Sequence, residues 1–287
     1  LTTMDELSVR RVGRRCQRKS LKFYQTDCAR LQSSRLVNLT LPPRTRMPRF
    51  YCNQPLETGG QIHLPDEVAR HIGVLRMQPG DTLTLFNGAG GEFTATLLAV
   101  DRRSARAELM SFDSREAEPA HALTLAQALP EGSKMDWIIE KAVELGASAI
   151  QPVQAARSVV RLTDERATKR LAHWQGVAIA AAEQCGRNRL PAIAPPLGFM
   201  AWVAQPDSHP RILLSPRAGR SLSDWARHQP PQALTVMIGP EGGFSDAEEH
   251  AAIAHGALCL SLGPRVLRTE TAGLAVLAAL NAIWGEC

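Results

Sequence analysis

The stretch Leu262-Gly-Pro-Arg-Val-Leu-Arg-Thr-Glu-Thr-Ala272 crowds Arg265, Arg268, Thr269, Glu270 and Thr271 between apolar segments. Guanidinium groups hold anions or stabilise charge developing on a carbonyl oxygen, and a carboxylate accepts a proton. Surface solvation would account for Arg265 and a helix cap for Thr269 or Thr271, but neither explains the whole cluster as readily. Somewhat earlier the chain reads Ile238-Gly-Pro-Glu-Gly-Gly-Phe244. This loop lacks the lysine of a phosphate loop and the GxGxxG spacing, which disfavours nucleotide phosphates. Its glycines permit positive φ and carry no Cβ, so the main chain can approach a flat ligand and read its edges. That suits adenine better than pyrophosphate, although the loop alone also fits a plain tight turn.

A third segment, Ala181-Ala-Glu-Gln-Cys-Gly-Arg-Asn-Arg-Leu-Pro191, places Arg187 and Arg189 beside Asn188 at a helix end. Cations there gain roughly 0.3–1 kcal/mol each from the helix dipole. The sharper reading is a phosphate or base contact in an RNA channel, which Arg157-Ser-Val-Val-Arg161 would extend. The six cysteines, Cys16, Cys28, Cys52, Cys185, Cys259 and Cys287, form no CxxC pair. Their spacing suggests neither a metal site nor a disulfide framework, and a reducing cytoplasm is the expected compartment. Cys185 and Cys259 read as packing residues.

The two glycine-bearing bends each follow a run that reads as a buried strand and precede an apolar-periodic helix. Both should therefore sit at one end of one sheet and form a single ligand site. Strands are expected at 122–129, 149–153, 211–214, 234–238 and 257–262, with helices near 164–185, 221–228, 246–255 and 272–284. Ser133, with Asp136 three residues on, predicts a capped helix that buries Met135, Ile138, Ile139, Ala142 and Leu145 and closes at Gly146. Ser245 and Glu248 form a second such pair, ended by Gly256. The alternation predicts an α/β fold with a parallel sheet.

Upstream, short strands are expected at 50–52, 61–64, 81–86, 92–100 and 106–112. Period-two alternation in Thr82-Leu-Thr-Leu-Phe86 and Phe93-Thr-Ala-Thr-Leu97 points to half-buried strands of a small β-barrel. One helix, 66–75, enters through Pro65. The polar segment 113–121 reads as the linker, giving a barrel domain at 47–115 and an α/β domain at 121–287.

The chain of 287 residues carries a net charge of +5, but residues 1–46 hold 11 of the 33 Lys/Arg and 3 of the 28 Asp/Glu. Their net of +8 leaves −3 for the remainder, so RNA affinity of the folded part must come from a local patch. No apolar run approaches the roughly 20 residues that span a bilayer. The basic leader should form no core. Translation from upstream of a true start at Met47 is the favoured explanation; a transit peptide and an RNA-binding arm are the others.

Glu140-Lys-Ala-Val-Glu-Leu-Gly146, Glu183-Gln-Cys-Gly-Arg187, Ile238-Gly-Pro-Glu-Gly-Gly243, Leu262-Gly-Pro-Arg-Val-Leu-Arg-Thr-Glu-Thr271 and His71-Ile-Gly-Val-Leu-Arg-Met77 resemble the RsmE family. These are ribosomal RNA small-subunit methyltransferases of the SPOUT superfamily that act on N3 of a uridine in 16S rRNA. The resemblance runs from Met47 to the C-terminus. It implies a PUA-like RNA-binding barrel before a SPOUT-type α/β domain with a C-terminal trefoil knot, a homodimer, and assembled 30S subunits as partner. It also implies an S-adenosyl-L-methionine (SAM) site on Leu214, Ile238, Gly239, Pro240, Glu241, Gly242, Gly243, Leu262, Gly263, Val266, Leu267, Thr269, Thr271 and Ala272. Arg268 is expected to stabilise charge on the base or to position the neighbouring phosphate, and Glu270 to take the base's proton or to hold Arg268 or the chain turn in place. Arg49, His71 and Arg76 in the barrel, with Arg157, Arg187 and Arg189, are the expected RNA contacts. The segment 1–46 has no family counterpart. A SPOUT enzyme with another target atom, a non-catalytic rRNA-binding assembly factor and a dinucleotide enzyme are the competing readings, the last disfavoured by its missing fingerprint.

Overall fold

The structure, a computed structural model, describes residues 47–285. The leader, with Cys16 and Cys28, and the terminal Cys287 lie outside the described residues.

The first unit is built from β1 (Arg49–Tyr51), β2 (Gln61–His63), α1 (Asp66–Val74), β3 (Thr82–Phe86), β4 (Glu92–Val100) and β5 (Ala105–Asp113). Its sheet runs β1-β3-β4-β5-β2, with β1 parallel to β3 and the other pairs antiparallel. Alternation decides the faces: Phe93, Ala95 and Leu97 of β4 are buried while Thr94 and Thr96 are half-exposed. Register shifts between Thr94 and Ala95 and between Leu97 and Ala99 interrupt the β4–β5 ladder, the irregularity that bends a sheet. Val68, Ala69 and Ile72 of α1 join Phe50, Leu83, Leu85, Leu97 and Leu109 in this core. Phe86, at the end of β3, belongs instead to the core of the second unit.

That unit comprises β6 (Leu123–Ala128), α2 (Lys134–Glu144), β7 (Ala149–Gln154), α3 (Asp164–Cys185), β8 (Ala192–Ile193), β9 (Leu197–Gly198), α4 (Phe199–Val203), β10 (Arg211–Leu214), α5 (Leu222–Arg227), β11 (Leu234–Ile238), α6 (Asp246–Ala254), β12 (Leu258–Leu260) and α7 (Thr269–Trp284). The sheet runs β12-β10-β11-β6-β7-β8, with β9 also on β7, and every pairing is parallel. Leu123 and Leu125 of β6, with Val236 and Ile238 of β11, pack against α2, α3, α5 and α7 on one face. Ala126, Ala128, Leu213 and Met237 meet α4 and α6 on the other. Parallel strands covered on both faces bury nearly every residue, as all of β11 is buried here.

Several expectations are corrected. Ser133 makes no side-chain cap bond: its backbone, at φ −96° and ψ 9°, is not extended as a cap requires, and the Asp136 amide goes to the Ser133 carbonyl at 3.2 Å, while the Asp136 carboxylate meets His173 Nε2 at 2.7 Å on α3. The last helix starts at Thr269 rather than Ala272, with Arg268 as its N-cap, so Thr269, Glu270 and Thr271 form its first turn. The two-residue strands β8 and β9 and the short α4 were not foreseen. The capping box of Ser245 and Glu248 is present.

The segment between β5 and β6 is fastened rather than loose. Arg115 donates to Glu92 at 2.8 Å and to the Gly186 carbonyl at 3.2 Å, and Glu116 accepts the Gly91 amide at 3.0 Å. Glu118 takes the Arg187 Nε at 2.9 Å, and buried His121 meets Asn281 at 3.1 Å. Among the described residues no helix is long and apolar enough to cross a membrane.

Candidate active site

Parallel order puts the loops after β10, β11 and β12 at the same carboxyl edge of the sheet, where open α/β folds bind ligands. The three loops and the start of α7 enclose a cavity of about 620 Å³. Its apolar surfaces come from Leu214, Ile238, Leu262, Leu267 and Ala272, and its polar ones include Ser215, Arg217, Glu249, Arg268 and Glu270.

Hydrogen bonds set the spacing of the loops. Thr269 donates its hydroxyl to the Gly239 carbonyl at 2.6 Å and accepts the Gln127 side-chain amide at 2.9 Å. The Gly243 amide closes a turn on the Pro240 carbonyl at 2.8 Å. Gly243 has φ of 68°, and a Cβ on Gly239 would stand 3.0 Å from the Phe244 nitrogen, so the bend needs glycine at both places. From outside, Arg157 donates to the carbonyls of Gly242 and Phe244 at 3.0 and 3.2 Å.

Charged groups around the cavity are partly committed. Glu241 accepts the Lys134 ammonium at 2.6 Å and the Glu131 amide at 3.1 Å. Burial alone would raise its carboxyl, but those donors outweigh burial and hold it below the usual carboxylate range. Arg217 bridges Asp246 at 3.1 Å and Glu249 at 2.9 Å, and Ser215 donates to Glu249 at 3.3 Å. Arg268 is exposed, and among the described residues it meets no carboxylate within ion-pair distance. Glu270 is half-buried, and its Oε2 is shielded from solvent without a hydrogen-bond partner. A buried carboxylate oxygen left unpaired costs free energy, so it is suited to accept a proton or a donor from a ligand. The alternative expectation, that Glu270 braces Arg268, finds no bond between the two.

The loop residues expected for a cofactor are gathered here, with exceptions. Thr271 lies outside the cavity on the exposed side of α7, and its amide bonds the Arg268 carbonyl at 2.9 Å. The Thr269 hydroxyl is occupied by protein partners, so Thr269 shapes the cavity rather than reading a ligand. Val266 is 80% exposed and reaches only the rim. Lys134, Arg217 and Glu249 had not been singled out. The Ser215-Pro-Arg-Ala-Gly219 loop was the available signal for Arg217, but nothing in the chain's local pattern marks Glu249, within a helix, as a cavity residue.

The expected RNA contacts divide more sharply. Arg187 is buried and spent on Glu118 and the carbonyls of Val143 and Ala147 at 3.0 and 2.9 Å. Arg49, its side chain 7% exposed, pairs with Glu92, donates to Asn188 Oδ1 at 2.7 Å and lies over the Phe86 ring. Both guanidiniums are engaged by partners from the two sheets and their connecting segments, not turned to solvent. Arg157 faces the glycine loop. Arg189, near Glu116 at 3.4 Å, stays exposed, as do His71, edge-on to Phe50, and Arg76. Arg76 is held at φ of 57°, a strained conformation for a non-glycine residue.

Neither Cys52 nor Cys259 is primed to react. Burial pushes the Cys52 thiol up to about 12, and burial followed by the Glu249 charge raises Cys259.

Residues 116–281 match the model of an RNA methyltransferase domain and residues 64–110 that of an RNA methyltransferase PUA domain. Ribosomal RNA small subunit methyltransferase E of Bacillus subtilis is 32% identical over 236 residues, covering 79% of this chain and 92% of that protein. The Neisseria gonorrhoeae protein of the same name, solved bound to S-adenosyl methionine, superposes with a TM-score of 0.77 at 40% identity over 83% of this chain and 98% of that one. A Legionella pneumophila methyltransferase solved with SAM gives 0.78 at 37% identity, with the same coverage.

Proposed function

This chain belongs to the ribosomal RNA small subunit methyltransferase E family, and from that premise we propose that it transfers a methyl group from SAM to N3 of a uridine in 16S rRNA. The observation that carries the reading is the meeting of the two glycine-bearing bends around one cavity, with Arg268 and Glu270 among the residues that line it.

The residues present fit SAM. A volume of about 620 Å³ lies within the roughly 300–1,000 Å³ of small-molecule sites. Leu214, Ile238, Leu262 and Leu267 offer aliphatic faces to an adenine ring, and the exposed main chain of 239–243 offers edges to read it. SAM supplies an electrophilic methyl on a sulfonium centre. The chain's task is to orient the acceptor, remove its proton and stabilise the resulting charge. N3 of uracil lies on its pairing edge, so the base must be unpaired or flipped out. The Glu270 carboxylate takes the imide proton, and the Arg268 fork stabilises negative charge on the uracil carbonyls.

The same reading takes 47–115 as a PUA-like barrel, with His71, Arg76 and Arg189 facing RNA, and 121–287 as a SPOUT domain whose C-terminal loops form a trefoil knot. It places the enzyme in the cytoplasm, acting on assembled 30S subunits as a homodimer. The outward face of α7, with Ala275 and Ala278 between the half-exposed flanks Leu274 and Ile283, supports a second copy packing there. Incubation with labelled SAM and 30S particles from cells lacking the activity should yield 3-methyluridine on nucleoside analysis; label in a ribose or a guanine would refute the assigned atom.

A further inference from the structure

The segment that carries Arg157 to the glycine loop runs on into α3, and there it borders a second concavity of about 470 Å³. Val160 and Leu162 contribute apolar surface, and Arg161, Arg166, Lys169 and Arg170 supply cations. Residues 166, 169, 170 and 173 recur at three- and four-residue spacing, which puts them on one face of α3.

A charged helix face is ordinarily a solvated surface laced by acidic partners. Here the partners are few. From Arg157 to His173, five Lys/Arg stand against Asp164 and Glu165. Lys169 meets Glu165 at 2.7 Å in a highly exposed pair, which holds it weakly. His173 meets Asp136. Arg161 donates to the Ala156 carbonyl at 2.9 Å, and among the described residues Arg166 and Arg170 form no ion pair. The burial of Arg49 and Arg187 withdraws two cations from any RNA surface. The groove gathers Arg166, Lys169 and Arg170 on α3 and Arg161 on the loop before it, the loop whose Arg157 lines the cavity.

We propose that this groove is a phosphate-docking track, on which ribosomal RNA lies beside the transfer cavity; the inference rests on the methyltransferase reading above. Guanidinium forks at helical spacing match successive phosphates, and contacts of this kind position a strand without reading its sequence.

The test is the full chain carrying Arg166→Glu, Lys169→Glu and Arg170→Glu together, compared with wild type in methyl transfer to 30S particles lacking the modification and in binding of protein-free 16S rRNA over a salt series. SAM affinity by calorimetry and the thermal melt should be unchanged. Loss of about three phosphate contacts should raise KM and the rRNA Kd at least roughly tenfold and flatten the log–log salt slope by about 2–3, with kcat within about twofold. Unchanged KM and slope in a folded, SAM-binding variant overturn the proposal. So does a rise in KM on particles without weaker binding of protein-free rRNA, which would assign the groove to a ribosomal protein. If wild type methylates no rRNA, the methyltransferase reading fails instead, and the groove is judged on rRNA binding alone. Should the triple variant misfold, Arg166→Gln with Arg170→Gln must show the same changes to a smaller degree.

Discussion

The Thr269 hydroxyl lies 2.6 Å from the Gly239 carbonyl oxygen and so ties the first turn of α7 to the glycine loop after β11. Through the Gln127 amide at 2.9 Å it also holds both to β6. One side chain thereby fixes the separation of the bends that form the cavity.

Thr269→Val keeps the shape and removes both bonds. It leaves the Gln127 amide and the Gly239 carbonyl short of a partner, at a cost of about 1–3 kcal/mol. A lower melting temperature and a SAM Kd raised on the order of tenfold are expected by calorimetry, with Thr269→Ser restoring much of both. Unaltered SAM affinity in the valine variant would show that the bond does not set the cavity.

Arg268→Ala should lower kcat by roughly 10²-fold or more while SAM affinity is kept, because the lost interaction serves developing charge rather than ground-state binding. The guanidinium is exposed and caps α7 only through its backbone, so stability should hold. Normal turnover would refute its role.

Glu270→Gln preserves size and removes the proton acceptor. A loss of about 10²–10⁴ in kcat is expected, with SAM affinity kept. Turnover within a few-fold of wild type would assign the base elsewhere.

Glu183 accepts the Tyr51 amide at 2.9 Å at the junction between the two sheets. Burial raises its carboxyl more than that amide and the His71 and Arg49 charges lower it. A raised folded value means the native state holds the proton longer than the unfolded chain. The stabilising contribution is full below the ordinary glutamate range and is lost as pH rises through the folded value. Glu183→Gln, still able to accept from Tyr51, should therefore gain stability relative to wild type as pH rises from acidic to neutral in urea titrations. A difference that stays constant across that range would remove burial as the cause.

Much of the architecture was legible because it is written in local spacing. Alternation in β4, the Ser245–Glu248 box and the apolar runs before both glycine bends depend on neighbours a few residues apart; β3 alternates in residue type, yet Thr84 and Phe86 are buried along with Leu83 and Leu85. Elements too short to show a period, β8, β9 and α4, were not legible. Ser133 and Asp136 carried a capping signal, but the backbone at Ser133 is already turned and its carbonyl, not its hydroxyl, takes the Asp136 amide.

By itself the sequence determined the order of strands and helices, the two loops that must share one sheet edge, and the residue types able to handle a proton and a negative charge. Only the tertiary structure decided which charges are free to act. An arginine reads alike in sequence whether solvated or buried, and the carboxylates that engage Arg49 and Arg187 lie 43 and 69 residues away along the chain. Ion pairing falls off with distance in space, not along the chain, so folding alone made those two arginines clamps and left Arg268, among the described residues, without an ion pair.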